Sequence, residues 1–348
     1  MARRILWASL ALAPATILVD LLTGAGKVTL FVLAAVALIP LAWVIGEATE
    51  HAAEHTGPGI GGFLNASFGN APELIIALFA VGGGLPQVVR GSLAGSVISN
   101  LLLVFGVTQL VGPEKPINRR SLLAQLLLVA AAVALLAAPV AVGYTGGSER
   151  HTAVLVSIPV AVLLLALYLV VTGRNLREHR ERERGDRREP SAGAWSLSSA
   201  LLALGASTAL TAVVSEILVH SLDAFAKAVG ATEFFIAAVM VAIVGNAAEH
   251  GGAIVIARSG KMKLASEIAV SSSAQVALLV APAVMLLSLF FTHQLPLSFR
   301  WEELVAMAGA VVLAAATIAD GRTKRWEGAV LLVAYAGVVA GFWFAGNR

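Results

Sequence analysis

Cysteine is absent from this chain of 348 residues, which excludes a disulfide scaffold and any thiolate metal site. Charge is scarce as well, at 13% of residues, and aromatics make up only 6%. Without interleaved basic and aromatic residues, a pI near 9.4 reflects arginine-rich membrane flanks rather than nucleic-acid binding. Nucleotide loops, nucleophile triads and metalloprotease words are missing too, so the chain does not read as an enzyme and no fuel other than an ion gradient is implied. No Lys or Arg falls in the middle of a long apolar run.

What remains is mostly apolar. Hydrophobic residues make up 58% of the chain and mean hydropathy is +0.85, well beyond ordinary soluble domains. Crossing the hydrocarbon core takes about 20 apolar residues, and such runs recur from end to end. Their length fits helices rather than the short alternating strands of a barrel. The spacing predicts an all-α polytopic protein with about eleven spans, near 4–22, 28–53, 60–84, 91–111, 121–142, 151–172, 195–222, 232–257, 264–291, 301–319 and 327–345. The first run continues through Leu21 and Leu22, which favours an uncleaved span over a signal peptide.

Lys and Arg test this count. With the N-terminus inside and the C-terminus outside, 18 of 24 lie in cytoplasmic segments, a strong positive-inside bias. Seven Arg sit between Gly173 and Gly193, in a solvated connector that divides the chain. Its Glu and Arg at neighbouring turns predict partial helix. The organisation expected is an extra helix over 1–27, a five-helix repeat over 28–172, a charged connector over 173–194 and a second five-helix repeat over 195–348.

The repeat is visible in two words. "FGNAPELI" (68–75) and "VGNAAEHG" (244–251) place Gly69, Asn70, Ala71 and Glu73 over Gly245, Asn246, Ala247 and Glu249 at an offset of 176. The same offset carries Ser96 onto Ser272 and Ser99 onto Gln275 in the following spans. Five spans is an odd number, so the second copy enters the membrane inverted. Inverted repeats whose interrupted helices meet near the midplane are a signature of secondary transporters.

An ionised carboxylate facing lipid costs at least a few kcal/mol, so Glu73 and Glu249 are expected to face the interior. A cation from outside the polypeptide then supplies the missing counter-charge. Two carboxylates, the amide oxygens of Asn70, Asn246 and Gln275, and the hydroxyls of Ser96, Ser99 and Ser272 form an all-oxygen set suited to a hard cation such as Ca²⁺. Pro72 and the flanking glycines are expected to break the helix and free carbonyl oxygens. The second copy has Ala248 in place of Pro72, so its break rests on Gly245, Gly251 and Gly252. Two neighbouring glutamates disfavour double ionisation in a poorly hydrated site, so protons compete with the metal. Such competition at an alternating-access site suffices for antiport. Glu50, Glu216 and His250 are candidates for a gate or proton path. His51 and His55 read as solvated interfacial histidines, and Glu47 shares the face of Glu50.

The words "GNAPELI" and "VAIVGNAAEH", followed at fixed spacing by "GSVISNLLLVFG" and "SSSAQVALLV", are similar to the two repeats of the Ca²⁺/proton exchangers, the CAX branch of the Ca²⁺/cation antiporter superfamily. The resemblance spans roughly residues 28–345. It implies one extra N-terminal helix plus two inverted five-helix repeats, with Glu73 and Glu249 as the essential carboxylates for Ca²⁺ and protons. It also implies a polar lining of Asn70, Asn246, Ser96, Ser99, Ser272 and Gln275, and acidic positions Glu50 and Glu216 on two sliding helices. The connector here departs from the acidic helix of eukaryotic members. Ca²⁺ is then a transported substrate rather than a cofactor, and the partners are Ca²⁺, protons and the lipid bilayer of a prokaryotic inner membrane. Alternatives with the same fold are Na⁺-coupled Ca²⁺ exchange and Mn²⁺/proton antiport; a passive cation channel is a third. Assembly into a homo-oligomer is left open by the sequence.

Overall fold

Long apolar runs with few charges fold as helices because lipid offers the backbone no hydrogen-bond partners. The computed structural model describes residues 2–143, 149–182 and 195–346. Helices α1 (Ala2–Ser9), α2 (Leu12–Thr23), α3 (Lys27–Phe68), α4 (Ala71–Gly82), α5 (Pro86–Val111), α6 (Arg119–Gly143) and α7 (Glu149–Arg182) build the first half. The second half comprises α8 (Leu197–Ala228), α9 (Glu233–Gly245), α10 (Ala247–Arg258), α11 (Met262–Ser288), α12 (Trp301–Ile318) and α13 (Arg325–Phe344). Among the described residues, nine helices are long and apolar enough to cross a membrane, and ten if the bent pair α9 and α10 is one span. The expected span 60–84 is divided: its first part is the end of α3, which runs to Phe68, and the rest is the 12-residue α4.

Two boundaries differ from expectation for a local reason. Gly57, Pro58 and Gly59 read as a break, yet α3 runs through them to Phe68. An interior proline forfeits one backbone bond, and the helix resumes beyond it. Pro72 sits in the first turn of α4, where its missing N–H has no intrahelical partner to lose. The interruption falls instead at Gly69–Asn70. The described part of the connector, 173–182, continues α7 as helix; residues 183–194 lie outside the described residues.

Backbone geometry follows the sequence repeat closely. Asn70 (φ −100°, ψ 15°) and Asn246 (φ −90°, ψ 15°) hold nearly the same non-helical conformation, each just before a carboxylate-bearing helix. Those helices then end alike. Gly84 (φ 70°) and Gly260 (φ 82°) occupy the left-handed region that glycine adopts without Cβ strain. Leu85 N–H bonds Ala80 O at 2.9 Å and Gly84 N–H bonds Val81 O at 3.0 Å, matched by Lys261 to Ile256 at 3.2 Å and Gly260 to Ala257 at 2.9 Å. These paired bonds close each helix as a Schellman turn. Looser π-type turns follow at Ser99–Val104 and Val276–Val280.

The long helices α3 and α8 lie against each other in opposite directions. Phe31 stacks on Phe225 at 4.2 Å, Ile45 and Ala48 pack with Leu204, and His55 Nε2 contacts Trp195 O at 2.7 Å. Helices α5 and α11 run through the middle of the bundle. At one end, the loop after α5 is tied to the loop before α13 by Ile117 N–H to Gly321 O (2.9 Å) and Thr323 N–H to Lys115 O (3.0 Å).

Candidate ion-binding site

Each candidate carboxylate lies in the first turn of a helix, Glu73 in α4 and Glu249 in α10. Unpaired N–H groups and the helix dipole favour negative charge there. The two breaks meet across the halves: Glu73 lies against Gly245, four residues before Glu249. Glu73 is 7% exposed, and neither of its oxygens has a hydrogen-bond partner among the described residues. It rests against the other broken helix: a Cβ placed on Gly245 would stand 3.2 Å from Glu73 Cγ and 3.8 Å from Oε1. Glu249 is half-buried. No group of three or more His, Asp or Glu placed to hold a metal ion occurs among the described residues, so the acidic ligands of the candidate site are this pair.

Amides and hydroxyls join the halves around the carboxylates. Asn70 Nδ2 donates to Gln275 Oε1 at 2.8 Å, and Asn246 Nδ2 donates to Ser96 Oγ at 2.8 Å. Asn246 Nδ2 also donates to Ala242 O at 2.8 Å. A backbone carbonyl only accepts, so this contact fixes the amide orientation and leaves Asn246 Oδ1 to accept. Asn100 Nδ2 meets it at 3.2 Å and Ser272 Oγ at 3.0 Å. Asn100 Oδ1 must then accept, and His250 Nε2 approaches it at 3.1 Å. Hence Nε2 of His250 carries a proton.

Glu73, Glu249, Asn70, Asn246, Ser96, Ser272, Gln275 and His250 are therefore brought together. Ser99 is buried beside them, but its hydroxyl donates to Ser96 O in its own helix at 3.2 Å. Glu50 and Glu216 are not part of the buried network. Both are exposed, on α3 and α8 respectively. His51 stacks on Trp195 at 4.9 Å, away from the carboxylates. Gly251 and Gly252, expected to help the second break, sit inside α10; the break borders Gly245 and bends α9 against α10 by 59°.

Asn100 was missed by the sequence repeat. An amide in the middle of "GSVISNLLLVFG" is a visible signal, but the offset of 176 pairs it with Val276, so a search for duplicated polar residues passes over it.

Comparison with known proteins places this arrangement in a family. The sodium/calcium exchanger protein family matches residues 26–176 and 199–344. The Ca²⁺/H⁺ antiporter ChaA of Bacillus subtilis is 41% identical over 324 residues, covering 90% of this chain and 91% of its own. A Ca²⁺/H⁺ antiporter of Aphanothece halophytica is 34% identical over 341 residues, covering 91% of each. Among solved structures, native YfkE is similar at a TM-score of 0.83 and 36% identity, covering 97% of this chain and 99% of its own. The chain belongs to the sodium/calcium exchanger protein family, in its Ca²⁺/H⁺ exchanger branch.

Proposed function

We propose that this integral membrane protein is a secondary antiporter that exchanges Ca²⁺ for protons by alternating access, with Glu73 and Glu249 as the shared carboxylates. One observation carries the reading: a buried Glu73 whose oxygens find no donor, beside a second carboxylate, at the meeting point of two interrupted helices. Such a group is stable in a bilayer either when neutralised by a proton or when paired with a cation. Ca²⁺ prefers six to eight oxygen ligands and tolerates irregular geometry. Glu73, Glu249, Asn70, Asn246, Ser96, Ser272 and Gln275 supply oxygens of that kind, with Ser99 lining the site through its helix. Protonating the pair removes the charge that holds the metal, so each ion expels the other.

The domain reading supports the cycle. Residues 28–172 and 195–348 act as two inverted repeats, 1–27 adds a helix and 173–194 connects them. The antiparallel packing of α3 on α8 fits a pair of helices that slide to open one side at a time, carrying Glu50 and Glu216. His250, held by Asn100, lies on the proton path. Ca²⁺ is cargo rather than a resident cofactor, no catalysed reaction is involved, and the basic loops face a prokaryotic cytoplasm.

The test is Ca²⁺ uptake into sodium-free proteoliposomes after an imposed pH step. Uphill uptake is expected. A strict requirement for Na⁺ would make sodium the coupling ion, and purely downhill flux would make the protein a channel.

A further inference from the structure

A further carboxylate, Glu267, lies on a candidate membrane span outside the central site. It sits on α11 five residues past the helix start, half-buried. Both of its hydrogen-bond donors are neutral and both belong to α6: Gln125 Nε2 at 2.7 Å and Ser121 Oγ at 3.0 Å, to the same oxygen Oε2. Glu267 makes no ion pair among the described residues. An ionisable residue kept within an apolar span and outside any ion pair is a candidate functional group.

Its position along α11 gives that function a direction. Lys263, Glu267, Ser271 and Gln275 follow at four-residue steps, each about 40° further round the helix, so Glu267 and Gln275 stand on adjoining faces about 80° apart. Lys263 is exposed at the basic end of the helix, Ser271 is half-buried, and Gln275 bonds Asn70 in the central site. Glu267 therefore stands about 12 Å below Gln275 along the helix axis, between a rim carrying Arg258, Lys261 and Lys263 and the paired carboxylates.

The other repeat lacks this feature. The matching positions in α5 are Gln87, Gly91, Gly95 and Ser99. A Cβ on Gly91 would lie 3.0 Å from Phe234, and one on Gly95 would lie 2.0 Å from Ala238 O. At Gly91 and Gly95 that face is closed by α9 and has no room for a side chain. The two repeats thus differ: one presents glycine to a close helix crossing, the other a polar ladder.

We propose that Glu267 is an access carboxylate, which concentrates divalent cations between the basic rim and the central site on that face alone. This rests on the antiport reading. A carboxylate in a low-dielectric approach raises the local cation concentration roughly tenfold or more, and here it offsets the repulsion of the lysine rim. Glu267 acts on access and not on the exchange step, so it governs the apparent KM for Ca²⁺ rather than the maximal rate.

The experiment is Ca²⁺ transport by the full chain in proteoliposomes, with Ca²⁺ presented to each face in turn. Orientation is read by labelling Ser259→Cys with a membrane-impermeant maleimide, which is specific because the chain has no other cysteine. Glu267→Gln is expected to raise the KM on the basic face about tenfold, leaving the opposite face and the maximal rate near wild type; Glu267→Asp restores the KM. Lys263→Gln is expected to lower the KM on the same face and keeps the test alive if Glu267→Gln does not fold. An unchanged KM, an equal change on both faces, or a loss confined to the maximal rate overturns the proposal. If wild-type protein moves no Ca²⁺ at all, the antiport reading falls and this role with it. Wild-type flux that these substitutions leave unaltered overturns the role of Glu267 only.

Discussion

Asn70 and Gln275 join the two halves of the chain directly, with the Asn70 amide nitrogen 2.8 Å from Gln275 Oε1. The bond spans 205 residues of sequence and lies beside the carboxylate pair. A side-chain hydrogen bond contributes about 1 kcal/mol net, roughly a fivefold change in an equilibrium constant. Gln275→Ala is therefore expected to raise the apparent KM for Ca²⁺ about fivefold in initial-rate assays, with folding largely retained.

Gly245 gives Glu73 its place. With a Cβ only 3.2 Å from Glu73 Cγ, Gly245→Val must push the carboxylate away from the second broken helix. Transport is expected to fall by about an order of magnitude or more, because displacements near 1 Å at a reacting site have effects of that size. Gly251→Ala and Gly252→Ala meet nothing within 4 Å and should transport normally in the same assay.

Gly95 tests packing rather than ion binding. Its missing Cβ would stand 2.0 Å from Ala238 O and 2.9 Å from Ala238 Cα, against backbone that cannot swing aside. Gly95→Ala is expected to destabilise the protein by about 3 kcal/mol, seen as a clear drop in thermal melting in detergent. Gly205 lies within α8, where a methyl group added to its Cα would meet nothing within 4 Å. Gly205→Ala should hold or raise the melting temperature, since alanine is the better helix former.

At the loop before α13, Lys324 bonds Asp320, and Arg322 N–H adds a second bond at 3.1 Å. The Lys324 hydrogen bond, followed by that backbone bond, holds the Asp320 carboxyl below its ordinary value. A depressed carboxyl stabilises the fold above its unfolded pKa, about 3.9, and that stability is lost as pH falls through the folded value. The pair is solvent-exposed, so Asp320→Asn is expected to leave melting at pH 7 nearly unchanged. A large drop at neutral pH would show that the loop depends on this pair.

Much of the site was legible because it is duplicated. Asn70 and Asn246 mark both helix breaks, and the carboxylates three residues later define both helix starts. Asn100 and Glu267 escaped because their repeat mates are Val276 and Gly91; duplication is blind to what only one half carries. Pro72 misled in detail, since proline marks a helix start as readily as a kink.

The central claim is that Ca²⁺ and protons occupy the same carboxylates. Adding Ca²⁺ to purified protein in weak buffer with a pH-sensitive dye tests it directly, comparing wild type with Glu73→Gln and Glu249→Gln. Proton release on Ca²⁺ binding by wild type, largely lost in both variants, is the expected result. Calorimetric Ca²⁺ binding without proton release, or release that both variants retain in full, would contradict the account.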